Sequence, residues 1–118
     1  MKIQIKSFGD QGILSDERIG FDVIADCDLK FFAVHNTYLY EAGVFYNKPK
    51  NTYWFAPLSL KAGDKVVLYT KSGTDSIKKE SDGTTIYFFY WGLANAILNK
   101  EREGIVLAEM NNWQAKWR

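Results

Sequence analysis

Cysteine, histidine, proline and methionine are scarce in this 118-residue chain, with one Cys, one His, two Pro and two Met. Each shortage excludes something. Cys27 has no partner for a disulfide within the chain, which fits the reducing cytoplasm. One Cys and one His cannot supply the ligand set of a zinc site. No apolar run reaches membrane-spanning length, so no membrane partner is expected. The stretch Met1–Lys6 alternates polar and apolar residues and lacks the continuous apolar core of a secretory signal peptide. A Gly-rich phosphate loop and a Gly-x-Ser-x-Gly elbow are missing, as are internal repeats and Pro/Ser-rich linkers. No cofactor and no metal is implied.

What abounds is aromatic. Four Trp, seven Tyr and eight Phe make up 16% of the chain, while 47% apolar and 25% charged residues are ordinary for a soluble globular protein. Aromatic rings suit pleated sheets better than helices. The length fits one domain, residues 1–118, with a single hydrophobic core.

Alternation and turn residues place strands at about 2–8, 17–25, 29–40, 51–55, 65–71 and 84–91. A break is expected near His35-Asn36 within the third. Pro57 should end the fourth or confine it to an edge. In the fifth, Val66, Leu68 and Thr70 share one face, and Val67 and Tyr69 the other. The polar stretch Ser72–Glu80 reads as the most mobile loop, and Asp82-Gly83 as a tight turn. A last hairpin is expected from 95–98 and 104–110, with a short helix over Leu93–Glu103 as the competing reading. The expectation is all-β: an antiparallel sandwich of about 7–9 short strands with little helix.

Charge is uneven although the net is +1. Residues 10–41 carry seven acids against Arg18 and Lys30, and residues 48–79 carry seven lysines against Asp64 and Asp75. The segments either neutralise each other as neighbours or steer a partner.

The run Asn51–Tyr69 carries a family resemblance. Tyr53-Trp54-Phe55-Ala56-Pro57, Leu60-Lys61-Ala62-Gly63-Asp64 and Val66–Tyr69, followed by Ile86–Trp91, Gly92, Asn95 and Ile105-Val106-Leu107, resemble a lamin tail domain. The match spans residues 51–110, about half the chain. The Leu-Ser-Gly-Trp-like corner usual in the first half of that family has no counterpart here, which leaves strand pairing before residue 45 open. The resemblance implies an immunoglobulin-like sandwich and a non-enzymatic scaffold or interaction module.

Two stretches hold surplus rings. Thr85–Trp91 places Ile86, Phe88 and Tyr90 on one face and Tyr87, Phe89 and Trp91 on the other, though a sandwich strand needs only one apolar face. The second row must be covered by this chain, a partner or a ligand. Trp113 and Trp117 lie near the C-terminal end, and both should pack somewhere. Tyr53, Trp54, Tyr87, Phe89, Trp91, Trp113 and Trp117 are therefore the candidate binding surface. A protein partner or a second copy fits it best. A small-molecule or carbohydrate pocket lined by rings is the alternative. Near-zero net charge argues against nucleic acid.

Catalytic residues are not evident. Cys27 and His35 would lie about 26 Å apart on a continuous strand, and only a hairpin between them would form a thiol–imidazole dyad. Asp26 and Asp28 share a side when extended, but they lack the further oxygen ligands of a calcium loop and read as solvated turn acids.

Overall fold

The alternating pattern folds into eleven strands and one 3-10 turn in the computed structural model, which describes residues 1–118. In chain order these are β1 (Ile3–Gly9), β2 (Arg18–Val23), β3 (Cys27–Asp28), the turn Leu29–Phe31, β4 (Phe32–Glu41), β5 (Val44–Phe45), β6 (Asn51–Trp54), β7 (Ser59–Leu60), β8 (Lys65–Tyr69), β9 (Ser76–Lys79), β10 (Thr85–Tyr90) and β11 (Glu103–Glu109). The strands exceed the expected number because β3, β5 and β7 are two-residue pairings too short to leave an alternation signal.

They form a β-sandwich. One sheet runs β1-β2-β8-β10-β9, and the other places β4 between β11 and β6, with β5 pairing further along β4. The core lies between them. Ile3, Ile19, Phe21, Val23, Val66 and Leu68 enter from the first sheet and Phe32, Val34 and Leu107 from the second. Leu29 from the turn after β3, Phe55 from just past β6 and Leu60 from β7 complete it. Burying each of these large side chains stabilises the fold by about 1.5–3 kcal/mol.

One pair departs from the antiparallel rule. β8 and β10 run parallel, because β10 inserts between β8 and β9 after the β9–β10 hairpin. Residues 70–84 make the crossover that a parallel pair demands. The hairpin closes at Asp82-Gly83. Asp82 Oδ1 accepts from Thr84 N and Oγ1 at 2.9 and 2.6 Å, and Gly83 takes φ +89°.

Three further expectations change. β4 is unbroken across His35-Asn36, since β11 and β6 pair it on both sides there. Ser72–Glu80 contains β9, an exposed edge strand whose Lys78 and Lys79 discourage pairing with other chains. Residues 95–98 are neither strand nor helix. The Ile97 and Leu98 amides are claimed instead by a side chain. Glu17, 0% exposed, accepts from Gly12 N, Ile97 N and Leu98 N at 2.7, 2.9 and 3.0 Å.

The acidic and basic segments meet. β2 pairs β8, with Lys65–Asp22 at 3.3 Å, and Lys61 lies 3.7 Å from Asp26 beside the β3–β7 pair. Asp26 and Asp28 do more than face solvent. Asp26 Oδ1 accepts from Ala62 N and Asp28 Oδ1 from Leu58 N, so each ties the chain beside β3 to the chain beside β7.

Candidate interaction surface

Parity along β10 decides which aromatic row faces inward. Tyr87, Phe89 and Trp91 pack against the core, as does Tyr53 from β6. Phe55 stands edge-on to Phe89 at 5.3 Å, and Tyr53 edge-on to Trp91 at 6.0 Å. Four of the seven rings read as a binding surface thus lie against the core. Burial pushes the Tyr53 hydroxyl above the usual phenol range, with the Asp75 charge adding a smaller push.

The outward row of β10 is largely covered within the chain. Tyr90 stacks on Tyr69 at 5.3 Å, and Gly73 lies against the Tyr90 ring so closely that a Cβ there would come within 2.3 Å of it. Lys71 lies over Tyr69 at 5.1 Å. Phe88 and Ile86 remain half-buried.

The apolar groups left in water belong to the other sheet. Partners flank β4 only as far as Tyr38 on one side and Asn36 on the other, so Leu39–Glu41 and β5 project as a two-stranded ribbon. Tyr38, Leu39, Tyr40, Val44, Phe45 and Tyr46 are all exposed on it, by 36% to 61%. Local contacts shape the ribbon. Tyr38 stacks on Tyr46 at 5.0 Å, Thr37 Oγ1 donates to the Tyr46 carbonyl, and Arg102 Nη1 donates to the Tyr40 carbonyl at 2.8 Å. Phe45 lines two shallow grooves. One, of about 270 Å³, includes His35, Tyr46, Pro49 and Val106; the other, of about 320 Å³, includes Leu39, Arg102 and Ile105.

Trp54 lies on the outer face of this sheet, on the side of β4 that carries His35 and Leu39. It pairs with Ala33 across the β4–β6 ladder and donates Nε1–H to the Lys30 carbonyl at 2.6 Å. Trp113 stands edge-on to Trp54 at 5.0 Å and to Phe31 at 5.9 Å, whereas Trp117 is 86% exposed. Between Trp54 and the ribbon, His35 Nδ1 bonds Thr52 Oγ1 at 2.8 Å.

The structure therefore unites Trp54 and Trp113, leaves Trp117 free, and adds a ribbon that the sequence reading missed. Its signal was present. Tyr38-Leu39-Tyr40 and Val44-Phe45-Tyr46 carry apolar residues at successive positions, the two-sided pattern that singled out Thr85–Trp91.

Catalytic geometry does not assemble at Cys27. The thiol packs against the core, where burial pushes its pKa up and disfavours the thiolate. His35 is engaged with Thr52. No group of three or more His, Cys, Asp or Glu side chains is placed to hold a metal ion, and no helix is long and apolar enough to cross a membrane. The largest cavity, of about 520 Å³, contains no aromatic ring in its wall, unlike the ring-lined pocket weighed above.

Comparison of the chain with protein-family models, curated proteins and solved structures finds no match.

Proposed function

We propose that this chain is a non-enzymatic binding module that self-associates through the outer face of the β4–β6–β11 sheet, with the projecting ribbon as its main contact. The observation that carries this is the exposure of six large apolar side chains within Tyr38–Tyr46. Aromatic rings dominate interface energetics, and contiguous apolar patches on soluble proteins mark contact sites.

A second copy is the partner favoured by self-complementarity. Glu41 stands near the ribbon tip, and Lys48 and Lys50 follow its return strand, none of them in an ion pair. Two ribbons docked antiparallel about a two-fold axis would set each tip acid near the other's base lysines. The open edge of β5 offers backbone groups to the same neighbour. A cytoplasmic setting belongs to this proposal, supported by the lone Cys27. So does kinship with lamin tail domains, supported by the all-β sandwich and the motifs in its second half.

Light scattering coupled to size exclusion, across protein concentration and salt, tests the reading. A concentration-dependent dimer is expected, lost in Tyr40→Ser/Phe45→Ser while the circular dichroism and melting temperature hold. A strict monomer at millimolar concentration, or a dimer indifferent to that double substitution, would overturn it.

A further inference from the structure

The largest cavity is separate from the aromatic surface. It lies between the middle of β4, the start of β6 and the irregular chain 93–100, and its volume of about 520 Å³ falls in the range of small-ligand sites. Its polar wall comprises four asparagines (Asn36, Asn51, Asn95 and Asn99), Lys50, Lys100 and Glu103.

Asn36 directs the chemistry. It is 4% exposed, and its side chain makes one hydrogen bond, accepting from Asn51 Nδ2 at 3.1 Å. A carboxamide offers both donors and an acceptor. Whichever way Asn36 is turned, one end of it meets no protein group and is not sealed from solvent, so it stands ready to pair with a ligand in the cavity. Lys50 and Lys100 are exposed, and neither pairs with a carboxylate. Glu103 is already engaged, its Oε1 accepting from Asn99 N and Lys100 N at 3.0 and 2.8 Å. The wall therefore offers two unpaired ammonium groups and several carboxamides against one capped carboxylate.

We infer that this cavity binds a small hydroxylated carboxylate, of the size of a sugar acid. The two lysines match its carboxylate, as charge-assisted donors. The carboxamides match its hydroxyls, since each can donate to and accept from the same group. Leu93, Ala94 and Ile97 supply apolar contact. With no aromatic platform in the wall, a neutral sugar loses its usual stacking contact, and the charge becomes the discriminating feature. The site is also held in shape before any ligand arrives. Glu17 pins Ile97 and Leu98, and Asn99 Nδ2 donates to the Ala96 carbonyl at 2.7 Å. A fixed wall lowers the ordering cost of binding.

The test is an NMR titration of the full, ¹⁵N-labelled chain with D-glucuronate, run beside D-glucose, acetate and inorganic phosphate. Saturable shifts of the Asn36, Asn51 and Asn95 side-chain amides are expected with glucuronate, and binding at least about tenfold weaker with the other three. Lys50→Met and Lys100→Met, both on the surface, should each weaken glucuronate about tenfold without disturbing the spectrum of the core. Lys78→Met on β9 should change nothing. Absence of saturable shifts at tens of millimolar glucuronate would overturn the inference. So would equal binding of glucose, which removes the role of charge, or of acetate or phosphate, which removes that of the hydroxyls. Glucuronate binding unaltered by the two lysine substitutions would overturn it as well. Lys50 also stands at the proposed contact between copies, so the Lys100→Met titration is the arm that reports on the cavity independently of the dimer.

Discussion

Glu17 and Leu98 stand 81 positions apart in sequence, yet the carboxylate of one accepts the backbone N–H of the other at 3.0 Å, out of reach of solvent. The same carboxylate takes Ile97 N and Gly12 N, so one side chain satisfies three amides from two irregular segments. No cation pairs with it. The amides alone compensate its removal from water.

Removing that carboxylate is therefore expected to be among the most damaging single changes available. Glu17→Ala leaves the buried Ile97 and Leu98 amides and the part-buried Gly12 amide without acceptors and should cost about 4 kcal/mol in urea unfolding. Glu17→Gln keeps the shape but turns an amide donor toward donors, and should cost about 2 kcal/mol. A loss below about 1 kcal/mol for the alanine variant would mean that water replaces the carboxylate with little penalty.

Gly73 and Tyr90 support a second expectation. A Cβ at Gly73 would lie 2.3 Å from Tyr90 Cδ1, and the ring cannot retreat because it stacks on Tyr69. Gly73→Ala should destabilise the fold by about 1–3 kcal/mol. In a Tyr90→Ala background the same change should cost less than about 0.5 kcal/mol, because the clash is gone. Equal costs in both backgrounds would place the effect in the backbone instead.

These two contacts also mark what the sequence made legible. Strands were readable where a period of two met turn residues, as in β8 and the residue after it, where Val66, Leu68 and Thr70 are all buried. The turn at Asp82-Gly83 was readable because Asp and Gly each have a local reason to be there. Illegible were features fixed by distant partners. Ile97 and Leu98 look like strand or helix until Glu17 is known to claim their amides. The inward turn of Tyr87, Phe89 and Trp91 depended on the register of β10 beside β8, and two equally aromatic faces carry no local sign of it. The ribbon at Tyr38–Tyr46 was passed over because Tyr38–Tyr40 read as the end of an ordinary strand and Val44–Tyr46 fell between expected strands, and only the end of the flanking partners exposes them.

Acid should weaken the sandwich through its capping carboxylates. Asp28 is held below the ordinary carboxylate range by hydrogen bonds from Lys30 N and Leu58 N, and Asp26 chiefly by that from Ala62 N. A carboxylate whose folded pKa lies below its unfolded value adds stability above the unfolded pKa. That stability is lost as pH falls through the folded one. Melting temperature is thus expected to hold near neutrality and to drop below about pH 4. Asp28→Asn keeps an acceptor for both amides but cannot titrate, so its acid limb should be shallower than that of the parent chain. Asp26 and Asp82, also held low, would maintain part of the slope. An acid limb unchanged in Asp28→Asn would assign the titration elsewhere.

The two tail tryptophans should separate in every measurement that senses packing. Trp113 lies edge-on against Trp54 and Phe31, and Trp113→Ala is expected to cost about 1–2 kcal/mol. Trp117 touches little, so Trp117→Ala should change stability by less than about 0.5 kcal/mol. The sequence led to the expectation that both rings pack, and only one does so within the chain. Trp117→Phe should therefore remove the most red-shifted and most readily quenched part of the tryptophan emission. If Trp117 joins the interface between two copies, acrylamide quenching of that component should fall over the concentration range in which the dimer forms. Quenching that stays constant through dimerisation would confine the contact to the ribbon and leave Trp117 outside it.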